Sequence, residues 1–255
     1  GDVYKRQILH RASLNKGCLR NTPPIELWQL ALPVIMKYLL MLGEVMAVMG
    51  DVARLVKIGF ILWLRKPGKG NGEYATHYRN INLLDHLGKG IVGTWSDELR
   101  DAVRPTISIT QQGGLPRRAT DLQLFVADEI ALRFNRRVRR SRACREAFGK
   151  LDVHLCFLFF DLRQAFDLVD HQLLFKEVEI SLQKRDLSLR LHQLHDGVEY
   201  ILHNPRTGET RRYAINRGVR QGGGEGPILF LILYDAVMQT GGEERRRMAE
   251  YWRTW

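Results

Sequence analysis

The sequence predicts an α+β fold, and three observations carry that expectation. Apolar residues recur at helical spacing over 25–57 and again from Val126 to Val138. Two β-like runs, 198–203 and 210–216, flank "NPRTGE" and predict a hairpin. In the stretch "LCFLFFDLRQAFDLVDHQLL", residues 155–174, six apolar residues from Leu155 to Phe160 run straight into Asp161, as a buried strand ending in an acid would. The order of these segments is mixed, which favours α+β over a regular βαβ array.

The 255 residues, 45% of them hydrophobic, suffice for one large domain or two small ones with a real core. Lys and Arg number 39 against 28 Asp and Glu, a formal charge of +11. Such an excess suits an anionic partner, of which nucleic acid is the usual one; the alternative is a soluble protein that happens to be basic. Cys18, Cys144 and Cys156 lack pairing or metal spacing, which argues against a disulfide framework or a zinc site and for a reducing compartment. Residues 27–64 are apolar, but Lys37, Glu44, Asp51, Arg54 and Lys57 interrupt them before the ~20 residues of a spanning helix, so no membrane partner is expected. The first residues, "GDVYKRQ", resemble a translated sequencing adapter, and 1–7 are set aside as a scar.

Over 25–57, Leu39, Leu42, Val45, Met46 and Met49 share a helical face, with Pro33 expected to kink or split the first part; the Met-rich stripe is read as core packing. "IGFILWL", 58–64, reads as a buried strand and ends in the basic Gly/Pro loop "RKPGKGNGEY". A helix follows from Leu84 or Gly88 towards Arg100. Thr120 or Asp121 can cap the next one, with Val126, Ile130, Phe134 and Val138 as its apolar stripe. Arg133, Arg136, Arg137 and Arg140 fall on a different face, suited to phosphates or to solvent. Asp170 caps a helix carrying Leu173, Leu174 and Val178, and a Gly-rich turn, "RGVRQGGGEGP", precedes the apolar helix "ILFLILYDAVM".

A carboxylate on a rigid strand end is a good mount for a hard cation such as Mg²⁺, although an N-cap or a surface acid is the plainer explanation of Asp161 taken alone. The pattern D-x-x-x-A-F-D-x-V-D-H, from Asp161 to His171, resembles the first catalytic motif of reverse transcriptases, most closely the non-LTR retrotransposon type. The resemblance makes Asp161 the first metal-binding aspartate and Phe166 the aromatic that excludes the ribonucleotide 2′-hydroxyl. It leaves Asp167, Asp170 and His171 as caps and packing. "LRKPGKG…YRNINLL" is similar to the family's PKPGK…YRPISLL segment, with Lys66 and Arg79 in the positions that meet the incoming triphosphate. Lys supplies a mobile point charge there and Arg a fork for phosphate oxygens. "QQGGLPRRATD" is similar to Q-x-G-F-x-x-G-R-S-T-x-D, which makes Arg118 template-strand support. "RGVRQGGGEGPILF" resembles R-G-V-R-Q-G-x-x-x-S-P-L-L-F, and places Gln221 and Gly222 under the nascent base pair. Gly226 stands where the family has Ser, and "HDG", 195–197, also matches a spacing in this group. Four blocks in order across 58–238 carry the resemblance.

The resemblance implies right-hand polymerase fingers and a partial palm, with an antiparallel palm sheet backed by helices. It divides the chain into a scar at 1–7, a helical segment at 8–57, a fingers-like region at 58–150, a partial palm at 151–240 and a divergent or truncated tail at 241–255. It implies RNA-directed DNA synthesis inside the cell, in nucleus or cytoplasm, with an RNA template, a DNA primer and deoxynucleoside triphosphates. Two Mg²⁺ ions ~4 Å apart would serve the complete domain. The family's Y-x-D-D does not occur after Gly222; Asp235 follows the Gln-Gly block too early, and Glu243, Glu244 and Glu250 are not paired aspartates. The expectation is therefore an inactive, incomplete polymerase domain. The alternatives are a non-catalytic nucleic-acid-binding remnant, or a helical interaction protein built on 25–57 and 120–145.

Overall fold

A computed structural model of the chain describes residues 22–68, 74, 77–140, 155–157, 159, 161, 162, 164–204 and 207–253, without the side chains of 55, 137–140 and 240–253. The adapter-like start, Cys18 and Cys144 lie outside the described residues. The chain divides into two compact units, one of Gly1–Ile107 with Phe166–Trp255 and one of Ser108–Ala165.

The first unit is built on a four-stranded sheet. In chain order it contains helix α1 (Ile25–Met49), the one-turn α2 (Arg54–Lys57), strands β1 (Ile58–Arg65) and β2 (Tyr78–Leu84), and helix α3 (His86–Val103). Helices α5 (His171–Leu182) and α6 (Arg185–His195), strands β3 (Val198–His203) and β4 (Thr210–Ile215) and the long α7 (Gly226–Arg253) complete it. The strand order is β2-β1-β3-β4. β1 pairs antiparallel with β2, and β3 with β4, but β1 and β3 run parallel. The fold class is thus α+β as expected, whereas the sheet is mixed rather than antiparallel. The connection from β1 to β3 passes through helices, which is how parallel neighbours are joined.

The register explains an unexpected exposure. β1 pairs with β2 from Gly59 to Arg65, but with β3 only over Ile58–Ile61. The outer half of β1 is therefore a two-stranded arm. Leu62, Trp63 and Leu64 are exposed there, against the expectation of a buried strand, and the Trp63 ring packs edge-on against Tyr78 at 6.2 Å. β2 alternates short polar and apolar residues, too weak a pattern to mark a strand from sequence.

The core lies where α3, α5, α6 and α7 meet. Leu99, Val103, Leu174, Val178, Leu191, Leu194, Ile228, Leu229 and Ile232 have almost no exposure. Asp170 caps α5 as expected, accepting from the Leu173 amide at 3.0 Å, and Asp85 caps α3 through the Gly88 amide at 2.8 Å.

α1 keeps Pro33 inside one continuous helix, with no split there, and stops at Gly50, whose left-handed φ of 65° ends it. Of the expected core stripe only Met46 is buried; Leu42, Val45 and Met49 are exposed, and Leu39 packs against the small cluster of Ile25 and Leu32. Against the expectation that its charges exclude a span, α1 is long and apolar enough to cross a membrane by length and composition.

The second unit is led by α4 (Thr120–Arg140). The strand expected over 155–160 is not seen. Residues 155–157, 159, 161 and 162 belong to no helix or strand, and 158 and 160 lie outside the described residues. Leu155, Phe157 and Phe159 are exposed, so these members of the run are not buried either. The physical reason is that no described strand pairs with it, and a lone strand leaves its ladder of amides and carbonyls unmatched.

Candidate nucleotide and nucleic-acid site

Lys66 and Arg79 sit at the loop end of the β1–β2 arm. Arg79 lies opposite Leu64, and the Lys66 amide donates to the His77 carbonyl at 2.8 Å, which continues the ladder by one step. Residues directly opposite share a face, and so do residues two apart, so Lys66 and Arg79 are diagonal neighbours on one side of the arm. Arg79 is exposed and Lys66 half-buried.

The Gln-Gly block is knitted to the second half of the Asp161–His171 motif. The Gly218 amide donates to the Val169 carbonyl at 2.7 Å and the Val219 amide to the Phe166 carbonyl at 2.9 Å; Asp170 and Arg217 form an antiparallel bridge. His171 Nε2 lies 2.7 Å from the Gly218 carbonyl, so this nitrogen carries a proton and donates. Gly218 has φ +86°, and a Cβ there would lie 2.9–3.1 Å from the backbone of Phe166 and Asp167. Gly222 has φ +89°, and a Cβ would lie 2.6 Å from the Asn82 carbonyl oxygen. Only glycine permits both approaches. The turn is thereby seated on β2, three residues or about 10 Å along the strand from Arg79. The Phe166 ring packs on Phe230 of α7 at 4.9 Å. Gln221 donates from Nε2 to Asp167 Oδ1 at 2.6 Å.

Beneath the turn is a buried charged foundation absent from the sequence-level site. Arg220 and Glu225 are 3% and 0% exposed, with Nη1 and Oε1 3.7 Å apart. Arg220 Nη2 donates to the Val56 carbonyl at 3.0 Å. Burial pushes the Glu225 carboxyl up, and the Arg220 charge opposes that shift only in part. An acid inside "GGGEGP", just before an apolar helix, is the one sequence signal for it. His195 of "HDG" is buried nearby, with Nδ1 2.9 Å from the Leu191 carbonyl. Burial, reinforced by the Arg220 charge, holds its imidazole down at about 3.

The other predicted residues belong to the second unit. Arg118 Nη1 donates to the Ser108 and Gln111 carbonyls at 2.7 and 2.8 Å, so it clips the loop before α4. Arg133, Arg136, Arg137 and Arg140 share one face of α4 by their spacing. Arg133 is exposed and paired with Glu129 at 3.2 Å, Arg136 is exposed, and the side chains of Arg137 and Arg140 lie outside those described. Asp161 is exposed and outside regular structure.

The first unit thus brings the β1–β2 strand pair, the Gln-Gly turn and the Phe166 ring together. Residues 64–245, more than half of the chain, match the reverse transcriptase (RNA-dependent DNA polymerase) family. The chain belongs to that family, whose activity is RNA-directed DNA polymerisation, a nucleotidyl transfer from deoxynucleoside triphosphates onto a primer paired to a template. No curated protein matches the chain.

The family uses Mg²⁺. Among the described residues no group of three His, Cys, Asp or Glu side chains could hold a metal ion. Two-metal catalysis needs several converging carboxylates. The resemblance gives a metal-binding role to Asp161 alone, and no paired aspartates follow Gly222 in these 255 residues. The donors present do not amount to a two-metal centre.

Proposed function

We propose that these 255 residues are the fingers and partial palm, over 58–150 and 151–240, of a reverse transcriptase of the non-LTR retrotransposon type. They hold template, primer and nucleotide without extending the primer. Lys66 and Arg79 clamp the triphosphate, Phe166 checks the sugar, and Gln221 with Gly222 seats the nascent base pair. Arg118 and the arginines of α4 face template phosphates, and Asp161 is a metal-binding carboxylate whose partners are missing. The observation that carries this reading is the seating of the Gln221–Gly222 turn between Asp167 and Asn82, which joins three of the four sequence blocks in one unit.

The test is a salt titration of binding to an RNA template annealed to a shorter DNA primer. Neutralising about five phosphates gives a slope of about −4 in log K against log salt. Substituting Ala for Arg133 and Arg136 should flatten the slope by about 1 for each template phosphate that is no longer neutralised. A salt-independent affinity would instead support a helical interaction protein.

A further inference from the structure

We propose that Asp167 is a positioning residue for Gln221, fixing which atom of its carboxamide is offered to a bound nucleotide or nucleic acid. The sequence assigns Asp167 to packing. The structure puts its Oδ1 2.6 Å from Gln221 Nε2. An ionised carboxylate only accepts hydrogen bonds, so the amide nitrogen must face Asp167. The carbonyl oxygen Oε1 is then turned the other way, and the side chain presents an acceptor. Unrestrained, a terminal amide torsion is broad and roughly two-fold, and would present donor and acceptor in turn.

The geometry around Asp167 is that of a mount. Its backbone is held between the Phe166 and Val169 carbonyls, which accept from Val219 and Gly218. Its carbonyl lies where a side chain on Gly218 would fall, so the two segments cannot separate or slide without losing both bonds. Phe166 is anchored on Phe230. At the other end Gly222 rests against Asn82. Gln221 is therefore fixed through its backbone by Gly222 and through its side chain by Asp167. The partner that Oε1 selects is accordingly a hydrogen-bond donor, a sugar hydroxyl or a base N–H, while the second Nε2–H can still serve an acceptor. This rests on the reading of the Gln-Gly turn as a nucleotide seat.

Sign distinguishes this role from that of an ordinary surface acid. A carboxylate that merely lies near a phosphate path repels it, so its removal strengthens binding. A carboxylate that orients Gln221 weakens binding when removed. The experiment measures the affinity of the full chain for a labelled RNA-template/DNA-primer duplex, for the native chain, Asp167→Ala, Asp167→Asn, Gln221→Ala and the double Ala variant. Asp167→Ala should weaken binding about 5-fold to 20-fold, and Asp167→Asn, whose Oδ1 still accepts, less than about 3-fold. In the Gln221→Ala background, Asp167→Ala should have no further effect. Tighter binding by Asp167→Ala, or an equal loss in both backgrounds, overturns the positioning role. If Gln221→Ala leaves binding unchanged, the seat itself is misassigned. Selective ¹⁵N labelling of glutamine adds a readout independent of affinity: the Gln221 amide should exchange its protons faster in Asp167→Ala than in the native chain, and equal rates contradict the bond.

Discussion

Replacing Arg220 by Met should destabilise the first unit by about 3 kcal/mol at neutral pH, because it leaves Glu225 buried without its counter-charge. The Val56 carbonyl also loses its donor, a cost of about 1–3 kcal/mol when the group stays buried, in part included in that figure. The direction with pH follows from Glu225. Burial already raises its carboxyl above the ordinary value, and Arg220 pulls the other way. Without Arg220 the folded carboxyl rises further, so the variant protonates it at low pH and suffers most at high pH. The double change Arg220→Met with Glu225→Leu removes both charges and should recover most of the loss. Urea unfolding of the three proteins at pH 6 and pH 8 is the measurement. A loss under about 1 kcal/mol, or a double variant as unstable as the single one, would contradict the buried pair as the foundation of the turn.

Acidification should act through His195. The carbonyl of Leu191 accepts from Nδ1, so the neutral ring keeps its proton there, and Nε2 has no partner among the described residues. The folded imidazole is held at about 3 by burial first and by Arg220 second, with His171 and His192 adding to the same effect. In the unfolded chain it titrates near 6.5. Between those values the unfolded chain binds a proton that the folded chain does not. Stability is therefore retained above pH 6.5 and lost as pH falls towards 3. At pH 4.5 the loss is about 2–3 kcal/mol relative to pH 7. Glu225, raised rather than lowered, works in the opposite sense in the acid range, so a variant is needed to isolate the imidazole. His195→Leu should flatten the change between pH 7 and 4.5 by about that amount. The same slope in both proteins would show that His195 is not buried and neutral.

Both predictions concern residues that sequence patterns touch only lightly. Local signals report the elements well where one residue acts on its neighbours: the cap of Asp170, the start of α4 at Thr120, the β3–β4 hairpin around its turn. They fail where exposure depends on a distant partner. "IGFILWL" is apolar enough for a buried strand, but β3 covers only its first half. The Met-rich face of α1 has helical spacing and still faces outward apart from Met46 and the half-buried Leu39. The run Leu155–Phe160 has strand composition but no described partner strand. The site follows the same division. Lys66, Arg79, Phe166, Gln221 and Gly222 are named by motif order, and the fold places all five in the first unit. Asp167, Arg220 and Glu225 are not, because their roles exist only through partners 54, 164 and 5 residues away along the chain.

The proposed function gives this chain a nucleotide seat without the full set of carboxylates for catalysis. Primer extension tests it most directly: the 255-residue chain with an RNA template, an annealed DNA primer, all four deoxynucleoside triphosphates and Mg²⁺. The expected result is binding of the duplex and no added nucleotides, with Asp161→Ala indistinguishable from the native chain. Robust synthesis that Asp161→Ala abolishes would contradict it.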